Sequence, residues 1–356
     1  MRRPVILAAL ALTLAALFAA CSQPPTGPSM TAQEAGDEVG SLSIRFGEVL
    51  SDPAVSGFAE VLAGLTPSGL PYEDGNELPR GAYEFDEVSE TWVEVGDSDD
   101  LELNWTVEPG SLAARLLVDW DASTPTVTRT VPGGEEFELP TGANATLTVG
   151  GEVKADIDQT ATWPVNQCGT LTEPGDLFFD GVVTHGAASL TIDGVGLSVD
   201  AGETTASAGT SGRLELAVPA GEAWVDWDVN LDLAIARDEA TCIVADGDVT
   251  SGRVQLGAGV ETSDGSASAG VATDFAPVFD TVTSALTGVE LTNGRLTLDG
   301  VLAVTWEGVL DDADGDGVPG ENLDLTFADG TTTLEDFIRE HFGLVVLGSR
   351  VLSAVR

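Results

Sequence analysis

From about residue 81 onward, apolar and polar residues alternate with a period of two, interrupted at short intervals by Gly, Pro, Asn and Asp. The segments "AYEF", "TWVEV", "LELNWTV", "ARLLVDW", "TVTRTV", "FELP" and "ATLTV" are short and rich in β-branched or aromatic residues. Alternation sends successive side chains to opposite faces of a strand, so these segments read as half-buried strands. The clearest strand is "WVDWDVNLDLAI", residues 224–235. Val225, Trp227, Val229, Leu231, Leu233 and Ile235 share one face, while Asp226, Asp228, Asn230 and Asp232 share the other. Such a strand extends roughly 40 Å, longer than is usual, and predicts a large curved sheet with one wet face. The expected fold is mainly β: a large antiparallel meander, as a sandwich or a curved open sheet, with about three short helices.

Helical spacing occurs in three places. Ser51-Asp52-Pro53 offers a start for a helix carrying Val55, Phe58, Val61, Leu62 and Leu65. "TDFAPVFDTVTSALTG", residues 273–288, has helical apolar spacing with Pro277 in its first turn. "TTTLEDFIREHFG", residues 331–343, pairs Thr332 with Glu335 as a capping box and stops at Gly343, with Leu334, Phe337, Ile338 and Phe342 as its buried stripe.

A short motif recurs in the second half: "TSGRLEL" from Thr210, "TSGRVQL" from Thr250 and "TNGRLTL" from Thr292. Ser-Gly and Asn-Gly are turn dipeptides, so each motif reads as a turn whose arginine opens a strand. Arg213, Arg253 and Arg295 then fall on the polar face, where cross-strand carboxylates can pair with them and fix register. Along the chain the expected organisation is a signal segment over 1–20, a flexible tether over 21–40, a helix plus β-sandwich-like region over 41–165, and an antiparallel β region over 166–356. The stretch "TWPVNQCGTLTEPGD" marks the change between the last two.

Charge narrows the function classes. Fifty-nine acids face 14 Lys+Arg, a net charge of −45, and Lys154 is the one lysine. Such a chain repels phosphate backbones and anionic membrane surfaces, which argues against a nucleic-acid partner. With 43% hydrophobic residues it can still bury a core.

The first residues read as an export address. Met1-Arg2-Arg3 is a basic start, "PVILAALALTLAALFAA" is apolar, and Cys21 follows Ala19-Ala20. This resembles a bacterial lipoprotein signal, although Phe18 stands where that pattern usually has Leu. The resemblance implies cleavage before Cys21, lipid on Cys21, and a membrane partner reached through that lipid. It places the chain among bacterial surface lipoproteins of the cell envelope. Cys168 and Cys242 are the remaining cysteines, and an oxidising compartment makes a disulfide between them the expected state.

"DDADGDGVPGENLD", residues 311–324, concentrates oxygen donors on a short loop. Alternating aspartates converge their carboxylates and a glycine turns the loop back, which suits a hard cation. Asp312, Asp314, Asp316 and Gly317 give the order D-x-D-x-D-G, and Val318 adds a backbone carbonyl. The loop resembles the calcium loops of dockerins and thrombospondin type 3 repeats over about a dozen residues. Those families close the site with an acid or Asn at the ninth position and an Asp at the twelfth, where this chain has Gly320 and Leu323. Glu321, Asn322 and Asp324 lie alongside, so the expected set is Asp312, Asp314, Asp316, Val318, Glu321, Asn322 and Asp324 with calcium as the cofactor.

No G-x-S-x-G, P-loop or H-E-x-x-H motif occurs, and His185 and His341 are the two histidines. No catalytic residue is assigned. Trp120, Trp227 and Trp306 alternate in step with Val118, Val225 and Val304 and read as core, whereas Trp224 falls on the polar face. The expectation is an exported, tethered β protein with a structural or binding role. Two rivals stay open: a hydrophobic-ligand carrier with a half-barrel sheet, and a paired-carboxylate glycoside hydrolase.

Overall fold

The computed structural model describes residues 27–55, 78–107, 112–120, 127–130, 136–165, 173, 175–238, 242, 244–279, 286–313 and 319–341. Within these the chain is mainly β, with one large, mostly antiparallel open sheet. In chain order the strands are β1 (Gly81–Asp86), β2 (Thr91–Gly96), β3 (Leu101–Val107), β4 (Leu112–Asp119), β5 (Val127–Thr130), β6 (Glu136–Leu139), β7 (Gly142–Val149), β8 (Glu152–Ala161) and β9 (Leu177–His185). They continue as β10 (Ala188–Ala201), β11 (Thr205–Val218), β12 (Gly221–Arg237), β13 (Val244–Thr262), β14 (Gly265–Phe279), β15 (Leu286–Leu298), β16 (Val301–Leu310), β17 (Asn322–Phe327) and β18 (Gly330–Thr333). Sixteen of them form the sheet, in the order β18-β17-β16-β15-β14-β13-β12-β11-β10-β9-β8-β7-β4-β3-β1-β2, and β5 and β6 pair separately. β13 alone has 19 residues, roughly 60 Å of strand.

The chain divides into two compact units. One comprises residues 1–47, 223–232 and 249–356; the other comprises 48–222 and 233–248.

The first unit contains most of helix α1 (Ala32–Leu50) and the helix α2 (Leu334–His341). The sequence reading gave residues 21–40 to a tether, but Ala32 already opens α1. Gly36, Gly40 and Ser41 lower helix propensity and hid it. What fixes its start is a reciprocal cap: the Glu34 N–H donates to Thr31 Oγ1 at 3.2 Å, and the Thr31 N–H donates to Glu34 Oε2 at 2.8 Å. Ser29 donates from its backbone to the Leu302 carbonyl, and the Ala32 N–H reaches Asp329, tying the helix to β16 and to the β17–β18 turn. Ala35, Val39 and Leu42 on α1 are buried, as are Val260, Ala269, Leu298 and Ala303 on the strands, each at 4% exposure or less. The apolar face here is closed.

Two expectations for this unit are corrected. Residues 273–279 are the end of β14, and 286–288 begin β15, so no helix spans 273–288 among the described residues. Pro277 is tolerated because β14 pairs with β13 only as far as Phe275, so beyond that point one side of the strand needs no N–H. The cap of α2 sits one residue later than expected. Thr333 Oγ1 accepts from the Asp336 N–H at 3.1 Å, and Phe337 stacks on Phe327 with centroids 5.0 Å apart. Gly343 and Phe342 lie outside the described residues, as does the continuation of the helix that begins at Pro53.

In the second unit, Leu101, Leu103, Trp105, Ala114, Leu147 and Val149 form a buried cluster flanked by Tyr83, Phe85, Trp92, Leu116 and Val118. Trp92 stands edge-on between Phe85 and Trp105, at 5.3 and 6.1 Å. β1 runs parallel to β3 and antiparallel to β2. Across β9–β11 the apolar face is less covered. Ile192, Val199 and Leu214 are half-buried, and Leu197 is 40% exposed.

Candidate functional site

The recurrent T-[SN]-G-R motif does not form turns. All three copies lie inside strands, Thr210–Leu216 in β11, Thr250–Leu256 in β13 and Thr292–Leu298 in β15. Their glycines serve close approach instead. A Cβ on Gly252 would lie 2.5 Å from the Phe275 ring, and one on Gly294 would lie 2.1 Å from Nε1 of Trp306. Each aromatic belongs to the residue directly across the ladder. In the third copy, Asn293 has φ 53° and β15 carries one extra residue against β14, a bulge that the Asn-Gly pair makes inexpensive.

The arginines lie on the polar side of the ladder as expected. Arg253 sits directly opposite Asp274 with Nε 3.7 Å from Oδ1, and Arg213 pairs with Glu215 two residues along its own strand at 2.7 Å. Arg253 also belongs to an open groove of about 340 Å³ on the first unit. Its side chains come from four strands: Asn230 and Asp232 of β12, Ser251 and Arg253 of β13, Asp274 and Ala276 of β14, and Glu290 and Thr292 of β15. Ser251 and Ala276, with Gly252, keep the floor low. Two of the three carboxylates are held in place: Ser251 donates to Asp232 Oδ2 at 2.7 Å, and Asn293 donates to Asp274 Oδ2 at 2.8 Å. Three acids against one arginine give the groove a negative field, which favours cationic or hydroxyl-rich ligands. Further along β12 the polar stripe is covered rather than open. Trp224 lies where a Cβ of Gly259 would be, and Asp226 does the same at Gly257. Trp224 is therefore a packing residue, and Trp306, whose Nε1 donates to Thr273 at 3.2 Å, is one as well.

At the acidic loop, the structure describes the neck. The Gly320 N–H donates to the Asp311 carbonyl at 2.8 Å, and Asn322 Nδ2 donates to both carboxylate oxygens of Asp311 at 3.1 and 3.0 Å. Gly320 is required there, since it has φ 121° and a Cβ would press on Leu334 at 2.8 Å. Asn322 and Asp324 project outward from β17, whereas Leu323 and Leu325 point into the core. Asp312 is exposed at the neck, and Glu321 is half-buried. Asp314, Asp316 and Val318 lie outside the described residues. Among the described residues, no group of three or more His, Cys, Asp or Glu is arranged to hold a metal. Asp311, absent from the sequence-derived ligand set, is the residue that closes the loop. Its place directly before the D-x-D run was the available signal.

The second unit carries a buried ionic node. Arg237, 8% exposed at its side chain, makes two bonds to Glu173, at 2.6 and 3.0 Å. Its remaining N–H groups donate to the carbonyls of Gly202, Ala201 and Cys242. All five donors of the guanidinium are used. Cys242 is buried and disulfide-bonded. Cys168 and Cys21 lie outside the described residues. His185 ends β9 and is half-buried.

No protein-family model matches this chain, and neither the curated proteins nor the solved structures contain a detectable match.

Proposed function

We propose that the chain is an exported, lipid-tethered binding protein of the cell envelope rather than an enzyme, with calcium bracing the 311–324 loop. The observation that supports it is the groove on the polar face of β12–β15. Two of its three acids, Asp232 and Asp274, are held by neighbours within the sheet, which suits recognition of a ligand by a preorganised surface. Calcium fits the same reading: the loop is oxygen-rich, its neck is pinned by Asp311 and Gly320, and Asn322 keeps its amide oxygen for a ligand role. The test of the groove is an array of glycans, amino sugars and polyamines probed with the full chain and with Ser251→Trp. Binding by the parent that the filled groove loses, with no product released, supports the reading. Binding unaffected by Ser251→Trp, or release of reducing ends, overturns it. For the loop, millimolar calcium raises the melting temperature, and Asp314→Ala with Asp316→Ala removes the rise. A melting curve indifferent to calcium and EDTA contradicts this part.

A second reading, a hydrophobic-ligand carrier, is favoured by the half-buried apolar face of β9–β11. A neutral fluorescent acyl probe that binds the parent and not Leu197→Asp supports it. The carrier reading is excluded if the probe does not bind the parent.

A further inference from the structure

The charges in the groove on β12–β15 follow a pattern that narrows its ligand beyond cations and hydroxyls. All of them belong to the first unit. Arg253 and Asp274 stand directly opposite one another, yet Nε and Oδ1 are 3.7 Å apart and, among the described residues, the guanidinium donates no hydrogen bond. Asn293 occupies one carboxylate oxygen of Asp274 and Ser251 one of Asp232, so each keeps a second acceptor. The Glu290 carboxylate is exposed and, among the described residues, has no hydrogen-bond or ion-pair partner. Between these groups the floor is small. The β13–β14 ladder stops at Gly252 and Phe275, and Ser251 and Ala276 follow just beyond it.

A guanidinium fork with unused donors beside a carboxylate complements a zwitterion. The fork takes a carboxylate through two parallel bonds, and the neighbouring acid takes an ammonium. Asp274 faces Thr292 across the β14–β15 ladder, and Glu290 lies two residues along β15, opposite Ala276. Diagonal neighbours of this kind stand about 7–8 Å apart, which sets a second anionic position within reach of a lysine-length side chain. Its methylenes would cross Ala276, whose side chain has no polar atom to desolvate. A diamine would satisfy the carboxylates and leave the guanidinium without an anion. An acidic sugar would satisfy the guanidinium and meet three carboxylates. We propose, building on the reading of this groove as a binding site, that its ligand class is the basic amino acid: its carboxylate on Arg253, its α-ammonium on Asp274 and its side-chain cation on Glu290, with Asp232 strengthening the negative field.

The probes are L-lysine, cadaverine, which lacks the carboxylate, and 6-aminohexanoate, which lacks the α-ammonium. Each is titrated calorimetrically into the full chain in neutral detergent at about 0.02 M salt, where exposed charges are least screened. L-Lysine binds about fivefold or more tightly than either analogue, the scale of one exposed ion pair. Arg253→Gln weakens L-lysine by about fivefold or more and leaves cadaverine within about twofold, whereas Glu290→Gln weakens both. Near-ultraviolet circular dichroism matching the parent shows that each variant is folded. Absence of L-lysine binding, cadaverine bound as tightly as L-lysine, or folded Arg253→Gln that binds L-lysine like the parent would overturn the proposal. If another ligand then binds and Ser251→Trp removes that binding, the groove reading stands without this ligand class. L-Lysine binding that survives Ser251→Trp overturns both.

Discussion

Glu102 shows how single residues use the scarce positive charge of this chain. Its carboxyl is lowered to about 2, first by the hydrogen bond from Arg115 at 2.8 Å and then by that from Asn104. A folded pKa below the unfolded value contributes stability that is fully present above the unfolded pKa and is lost as pH falls through the folded one. The window here runs from about pH 4.5 down to about 2. Arg115 is 46% exposed, so solvent screening reduces the contribution to about 1 kcal/mol. Glu102→Gln should remove this part of the acid dependence, as read from urea midpoints at pH 6 and pH 3. An unchanged difference between the two midpoints would show the pair to be inert. Gly294 is a second residue with a definite burden. With Trp306 held by its bond to Thr273, Gly294→Ala forces the ring or the bulge to move, and a loss of about 2 kcal/mol is expected in denaturant unfolding. Neither residue was legible beforehand. Alternation placed Trp306 on the apolar face correctly, but only the ladder register puts it over a glycine.

At the scale of elements, the strands were legible and the punctuation was not. "TWVEV", "LELNWTV" and "WVDWDVNLDLAI" became β2, β3 and β12 because period-two alternation is the direct imprint of a half-buried sheet. Ser-Gly and Asn-Gly read as turns because turn chemistry is local. Within β11, β13 and β15 the ladder overrides it, and the same glycines give neighbouring aromatics somewhere to lie. Helix α1 was missed although Thr31 and Glu34 spell a local capping box, because Gly36, Gly40 and Ser41 keep its propensity poor and its burial comes from partners. Part of the groove was visible as the Asn230–Asp232 stripe and the Arg253 motif, but its convergence depends on four strands in register. The disulfide belongs to this scale. Arg237, five residues before Cys242, grips Glu173, which follows Cys168 by five residues in the sequence. We expect a Cys168–Cys242 bridge, worth about 4 kcal/mol by loop entropy. Thiol labelling of the unreduced, unfolded chain should leave both cysteines unmodified, and two reactive thiols would refute the pairing.

For the molecule as a whole, a net charge of −45 and the first 21 residues point the same way. The charge disfavours nucleic acid and anionic lipid as partners, and no described helix is long and apolar enough to cross a membrane. On this account the attachment is made by lipid on Cys21, leaving the sheet to present its groove. The fold itself was legible as a class, since strands separated by turn residues imply a meander. Its open sixteen-stranded order was not, because alternation does not say which strands end a sheet. The central claim is that this sheet works while tethered outside the cytoplasm. Its most direct test is the mass of the N-terminal proteolytic peptide from the membrane fraction of expressing cells. The account expects a peptide that begins at Cys21, carries acyl chains, and leaves the membrane fraction in Cys21→Ser. A soluble chain with an unmodified Cys21, or one that retains Met1-Arg2-Arg3, would contradict it.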